Sequence, residues 1–150
     1  MIADTAIRFV TYGILGWAGE ILFTGLKSVA VERKWDAEGK SYLWMFPIYG
    51  LIVFFYEPLH DVLRNTSIVV RAVAYSLGIT GIEWVSGYLI KCIIGQCPWD
   101  YANERFGINE YIRWDFFPLW AIVGIVLERV HDFLVLLTPH IRSALRVVLS

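Results

Sequence analysis

Four apolar segments, at about residues 7–27, 43–63, 69–94 and 115–137, each approach the ~20 residues a helix needs to cross a bilayer's hydrocarbon core. Soluble buried helices of that length would keep a polar outer stripe, but Ile14, Leu15, Ile21, Leu22 and Leu26 go nearly all round the first segment. The hydrophobic fraction of 57% and mean hydropathy of +0.56 point the same way. The chain is therefore expected to be an all-α, integral membrane four-helix bundle. Its length of 150 residues leaves room for one four-pass domain.

Nucleic acid is not an expected partner, because the net charge is -1 and neither a basic run nor a glycine-rich phosphate loop is present. Cys92 and Cys97 are too few and too far apart for a cysteine-type zinc site, and read as plain thiols, or as a disulfide if their loop faces an oxidising compartment. The start MIADTAIRFV lacks a basic n-region and a small-residue cleavage site, so the first apolar segment is expected to stay as a span. Four spans place both termini on one side, with Arg8, Arg64, Arg71, Arg142 and Arg146 against Asp4. The opposite side carries Lys27, Arg33, Lys34, Lys40, Lys91, Arg105 and Arg113, so the Lys and Arg count is balanced. The arginine-rich side favours anionic lipid, which sets the termini in the cytoplasm. Trp35, Trp44, Trp99 and Trp114 gather on the far side as an interfacial belt.

The second and fourth segments carry rare letters in matching places. FPIYGLIVFFYEPLHDVL, from Phe46, is echoed by FPLWAIVGIVLERVHDFL, from Phe117, so that Glu57, His60 and Asp61 correspond to Glu128, His131 and Asp132. The first and third segments agree too, with Tyr12 and Tyr75 each eight residues before Glu20 and Glu83. Trp-Asp recurs in the connecting loops at Trp35-Asp36 and Trp99-Asp100. A tandem duplication of a two-helix unit explains the pattern, with the halves related by a pseudo-two-fold axis along the membrane normal.

Six of the fourteen acidic residues lie inside the segments: Glu20, Glu57, Asp61, Glu83, Glu128 and Asp132. Uncompensated, they would cost on the order of 15 kcal/mol to insert, so they must meet partners. Their order is Glu, Glu-x-x-His, Glu, Glu-x-x-His, the di-metal carboxylate arrangement of four-helix bundles. Residues three apart share a helix face, so each Glu-x-x-His can offer a carboxylate and an imidazole to one metal. Glu20, Glu57, His60, Glu83, Glu128 and His131 are the candidate ligands of two divalent ions, whose charge four carboxylates would cancel. Iron suits the mixed ligands best, and manganese or zinc also fit. Asp61 and Asp132 are placed to fix the histidine tautomers or to meet Arg64 or Arg129. Tyr49 is a candidate redox or hydrogen-bonding neighbour. Depth runs against the arrangement: Glu20 lies about 18 Å in from Arg8, whereas Glu57 lies about 10 Å from Arg64. Pro58 also disturbs the second helix at the site. Gly13, Gly16, Gly50, Gly81, Gly87 and Gly124 would let the helices approach closely.

The motifs GILGWAGEILFTG, SYLWMFPIYGL, IEWVSGYLIK and CPWDYANERFGINEYIRWDFFPLW resemble the putative ABC-transporter type IV family of small membrane proteins, which includes the vertebrate transmembrane protein 229 group. The resemblance runs from about Tyr12 to Leu134, and Pro98-Trp99-Asp100-Tyr101 is its most specific piece. It implies a four-pass membrane protein and supplies no activity. The chain has no Walker A loop with which to use ATP itself.

Two classes of function follow. In the first, the di-metal centre performs oxidative chemistry on a lipid or other hydrophobic small molecule. In the second, the same glutamates relay protons or bind a cation in a transporter or its accessory subunit. A membrane scaffold with protonated, interhelical glutamates is a third reading. A zinc protease is disfavoured because His-Glu-x-x-His is absent. Membrane lipid is the expected surrounding partner, and a homo-oligomer is compatible with the chain. The loop at residues 97–111 is long enough to serve as a lid or as an interfacial cap.

Overall fold

The computed structural model describes residues 2–149. Its helices are α1 (Ile2–Ala30), α2 (Met45–Gly50), α3 (Ile52–Leu63), α4 (Ile68–Ile94) and α5 (Phe117–Leu149), with a single 3₁₀ turn at Trp114–Phe116. Among the described residues no strand forms, only an isolated bridge between Gly107 and Arg113. The all-helical expectation therefore holds. α1 and α4, at 29 and 27 residues, are both long and apolar enough to cross a membrane.

Burial is inverted relative to a water-soluble bundle. The buried set is rich in Tyr12, Tyr75, Glu57, His60, Ser76, Ser86, His131 and Thr138, whereas Ile14, Leu22, Leu26, Leu77, Leu89, Ile122 and Leu136 are exposed. Hydrophobic burial cannot account for a polar interior under an apolar skin, but a lipid surround can.

Two expected spans have different bounds. The 43–63 segment is two helices, parted at Leu51, where the N–H is shared between the carbonyls of Pro47 (3.0 Å) and Ile48 (3.1 Å). The Phe54 N–H bonds three residues back to the Leu51 carbonyl at 2.9 Å. Pro58 within α3 then removes the N–H that would have met the Phe54 carbonyl. The fourth segment, expected to end near residue 137, continues as helix to Leu149. Hydropathy falls at the arginines, but Arg142 donates to Asp4 at 2.9 Å, so the helix keeps a packed partner where its apolar pattern stops.

The chain divides into two compact units, one comprising residues up to Phe54 with those from Leu134 onward, the other Phe55–Phe133. In the first, α2 packs on α1 through glycines: Gly13 faces the Phe46 ring and backbone, and Gly16 faces the Tyr49 ring so closely that no Cβ fits. The segment at 31–44 then runs back along α1. Gly25 lies under the Ala37 carbonyl, the Lys40 N–H donates to Thr24 Oγ1 at 2.8 Å, and Ser41 reaches Glu20.

In the second unit, Ser67 caps the start of α4 and Gly95, at φ 83, ends it in the left-handed conformation. Gly124 of α5 lies against the Cβ of Tyr75, and the Tyr56 hydroxyl donates to the Gly124 carbonyl. Ser76 Oγ donates to the Phe117 carbonyl at 2.7 Å. The loop at 97–111 is tied to the end of α4. Tyr111 is buried against Gly87 and stands edge-on to Trp84, its carbonyl accepts from Trp99 Nε1 at 3.1 Å, and Lys91 bonds Glu110 at 2.6 Å. Cys92 and Cys97 are free thiols, and burial raises the Cys97 pKa.

Candidate functional site

The site is built from α3, α4 and the middle of α5. His60 and His131 are both buried, at 2% and 4% exposure, with ring centroids 5.2 Å apart. Each ring addresses the carboxylates of the other's helix. His60 Nδ1 lies 3.7 Å from Glu128 Oε1, and its Nε2 lies 3.8 Å from Asp132 Oδ1. His131 Nδ1 lies 3.3 Å from Glu57 Oε1, and its Nε2 lies 3.8 Å from Asp61 Oδ1. The helical reason is spacing. Glu, His and Asp at positions i, i+3 and i+4 fall on one stripe, and two such stripes facing each other exchange partners.

Arginines enter from the edge. Arg71, near the start of α4, donates through Nε to Glu128 Oε1 at 2.7 Å, while another of its N–H groups reaches the Thr66 carbonyl at 2.7 Å. Arg64, at the end of α3, donates to Asp132 Oδ1 at 2.6 Å. Both contacts are short and join a guanidinium to a carboxyl group. A further hydroxyl completes the inner layer: Tyr75, fully buried, donates to Glu128 Oε1 at 3.0 Å and stands 2.9 Å from His60 Nδ1.

A phenol has one proton, so this geometry fixes a tautomer. Glu128 already accepts from Arg71, and the Tyr75 proton is directed at the same carboxylate. The Tyr75 oxygen must then accept at His60, which puts the ring proton on Nδ1 and leaves a lone pair on Nε2. That Nε2 is buried and has no hydrogen-bond partner. One ligand atom from each of His60, His131 and Asp132 lies within 4.8 Å of the others.

The six residues expected to gather around two metals are distributed as follows. Glu57, His60, Glu128 and His131 come together in the second unit, with Asp61 and Asp132 beside the rings. Each Glu faces the His of the opposite helix rather than sharing a centre with its own. Glu83 lies eight residues, about 12 Å, further along α4 than Tyr75, and its carboxylate accepts from Trp120 Nε1 at 3.2 Å. Glu20 belongs to the first unit, where its Oε2 accepts from Ser41 Oγ at 2.8 Å and from the Tyr49 hydroxyl at 3.1 Å. Tyr49 is thus the neighbour of Glu20. Asp132 accepts from Arg64, and its Oδ1 stands 3.8 Å from His60 Nε2, beyond hydrogen-bond reach.

Arg71 and Tyr75 are the residues of the site that sequence reasoning did not place there. Tyr75 had a signal, since it keeps its distance from the following Glu in both halves of the chain. Arg71 had none beyond its charge.

Helices with a polar interior, an apolar exterior and span-length α1 and α4 define a helical membrane protein. The sequence profile of the putative ABC-transporter type IV family matches residues 7–149, and the chain belongs to that family. No solved structure matches it.

Proposed function

We propose that the chain is a four-span, tandemly duplicated membrane bundle with cytoplasmic termini that acts as an ion-handling component of a transport system. Its two histidines and their carboxylates take up and release a proton or cation. The observation that carries this reading is the reciprocal exchange of partners, in which His60 addresses Glu128 and Asp132 while His131 addresses Glu57 and Asp61. Titratable groups are expensive at membrane depth and are retained where they handle charge. The membership of the transporter-type family adds to it.

Equivalent contacts support the duplication. Tyr49 and Trp120 occupy the same place in the two Phe-Pro segments, and each donates to the glutamate of its own unit, Glu20 or Glu83, at 3.1 Å and 3.2 Å. Tyr12 and Tyr75, also equivalent, are 1% and 0% exposed.

The di-metal oxidoreductase acting on a lipid or hydrophobic molecule ranks second. Its support is the meeting of both Glu-His pairs, and against it stand the separate hydrogen-bond partners of Glu20 and Glu83.

Purified protein in sealed proteoliposomes with an internal pH dye tests the transport reading. Proton or cation flux under an imposed gradient is expected, and His60→Gln with His131→Gln should abolish it. Flux absent from the wild-type protein, or unchanged in the double variant, overturns the proposal.

A further inference from the structure

Within the cluster, one arrangement goes beyond proton handling. Both imidazoles turn Nδ1 to the more buried groups, Tyr75 and Glu128 for His60 and Glu57 for His131, and both turn Nε2 toward a more exposed aspartate at 3.8 Å. In metal sites the ligating histidine typically donates its other ring N–H to a neighbour that fixes its tautomer. Tyr75 does this for His60 through an oxygen whose own proton is committed to Glu128. The result is a lone pair on a buried nitrogen without a hydrogen-bond partner.

We propose that His60, His131 and Asp132 form a site for a single borderline divalent metal ion of the zinc type, with Asp61 completing the set. The proposal deepens the ion-handling reading, on which it rests, by naming the ion class. It differs from a carboxylate-rich pair of metals in ligands and in number, since the aspartates, not the glutamates, face the Nε2 atoms. Zinc takes imidazole nitrogen and carboxylate oxygen in four-coordinate sites with bonds of about 2.0–2.2 Å. One ligand atom each from His60, His131 and Asp132 lies within 4.8 Å of the others. Two imidazoles select against magnesium and calcium, which prefer oxygen. Asp61 and Asp132 balance the ion's two charges, while Arg64, at 2.6 Å from Asp132 and 3.8 Å from Asp61, steers both carboxylates. Glu57 and Glu128 then serve behind the rings, and Arg71 holds Glu128 in place.

The experiment uses the full chain in detergent, stripped with chelator and titrated with Zn²⁺, with Co²⁺ as a spectroscopic substitute. One Zn²⁺ per chain and the intense visible bands of tetrahedral Co²⁺ are expected. His60→Ala and Asp132→Asn should each lose the bands, while Glu83→Gln should keep them. Tyr75→Phe, which leaves every proposed ligand in place, should weaken binding roughly 10–100-fold. That variant keeps the test informative where His60→Ala fails to fold. Absence of saturable binding, or binding equal in wild type, His60→Ala and Asp132→Asn, overturns the metal site. If in that case proteoliposome flux still depends on His60 and His131, ion handling stands without the metal. If flux is also absent, both fall.

Discussion

Tyr75 holds His60 by Nδ1 at 2.9 Å while donating its one proton to Glu128 at 3.0 Å. A single hydroxyl thus ties α3, α4 and α5 together and decides which nitrogen of the ring is available. It lies where Gly124 lets α5 approach the Tyr75 Cβ, so the packing and the chemistry of the site share one residue.

Removing that hydroxyl tests the tie. In Tyr75→Phe, the His60 ring N–H loses its acceptor in a buried place, and Glu128 loses a donor. A loss of about 1–3 kcal/mol is expected, the penalty for an unsatisfied buried group. It should appear as a lower thermal midpoint in detergent with the helical circular dichroism of the folded state retained.

Two glycines should respond in opposite directions. A Cβ at Gly124 runs into the Cβ of Tyr75, a backbone-anchored atom that cannot swing aside, so Gly124→Ala should cost about 1–3 kcal/mol. At Gly81 a Cβ meets nothing within 4 Å, and Gly81→Ala should leave stability unchanged or raise it by about 0.5–1 kcal/mol through helix propensity. Paired thermal melts of the two variants check this.

Much of this arrangement was legible from rare letters. Glu57, His60, Asp61 and their echoes at Glu128, His131 and Asp132 stood out because few polar residues survive in apolar segments. Their crossed pairing was not legible, because equal spacing on two helices fits both a shared centre and an exchange of partners. Arg64 and Arg71 looked like helix-end charges, and nothing local says that a guanidinium there bends back to Asp132 or Glu128. The hydrogen-bond partners of Glu20 and Glu83 were not legible for a similar reason. The donor to Glu20 comes partly from Ser41, in a segment whose polar residues read as an ordinary connection. The break between α2 and α3 at Leu51 and the extension of α5 past Pro139 depend on contacts that hydropathy does not register.

The Arg71–Glu128 pair is partly screened from solvent, with side-chain exposures of 19% and 14%. Arg71→Met leaves Glu128 beside His60 with its guanidinium gone, and a loss of up to about 3–5 kcal/mol is expected, as for removal of one partner of a buried pair. Glu128→Gln strands Arg71 less, because that side chain also donates to the Thr66 carbonyl. The double variant should recover part of the sum, and a cycle of chemical denaturation in mild detergent that shows strict additivity would contradict the pairing.

The loop at 97–111 gives a pH signature that is independent of the membrane segments. Glu110 has its pKa lowered, chiefly by the hydrogen bond from Lys91 and then by one from Tyr111. A lowered folded-state pKa means that the contact contributes fully above the unfolded value, near 4.3 for a glutamate, and is lost as pH falls through the folded value. The loop should therefore stay docked from neutral pH to about pH 5 and loosen below it. Trp99, whose indole N–H bonds the Tyr111 carbonyl at 3.1 Å, is the nearby reporter. Its fluorescence should shift toward a solvent-exposed signal in the acid limb. Glu110→Gln should remove the acid transition and leave the signal constant across the range. A transition that persists in that variant would assign the loop's acid response to another group.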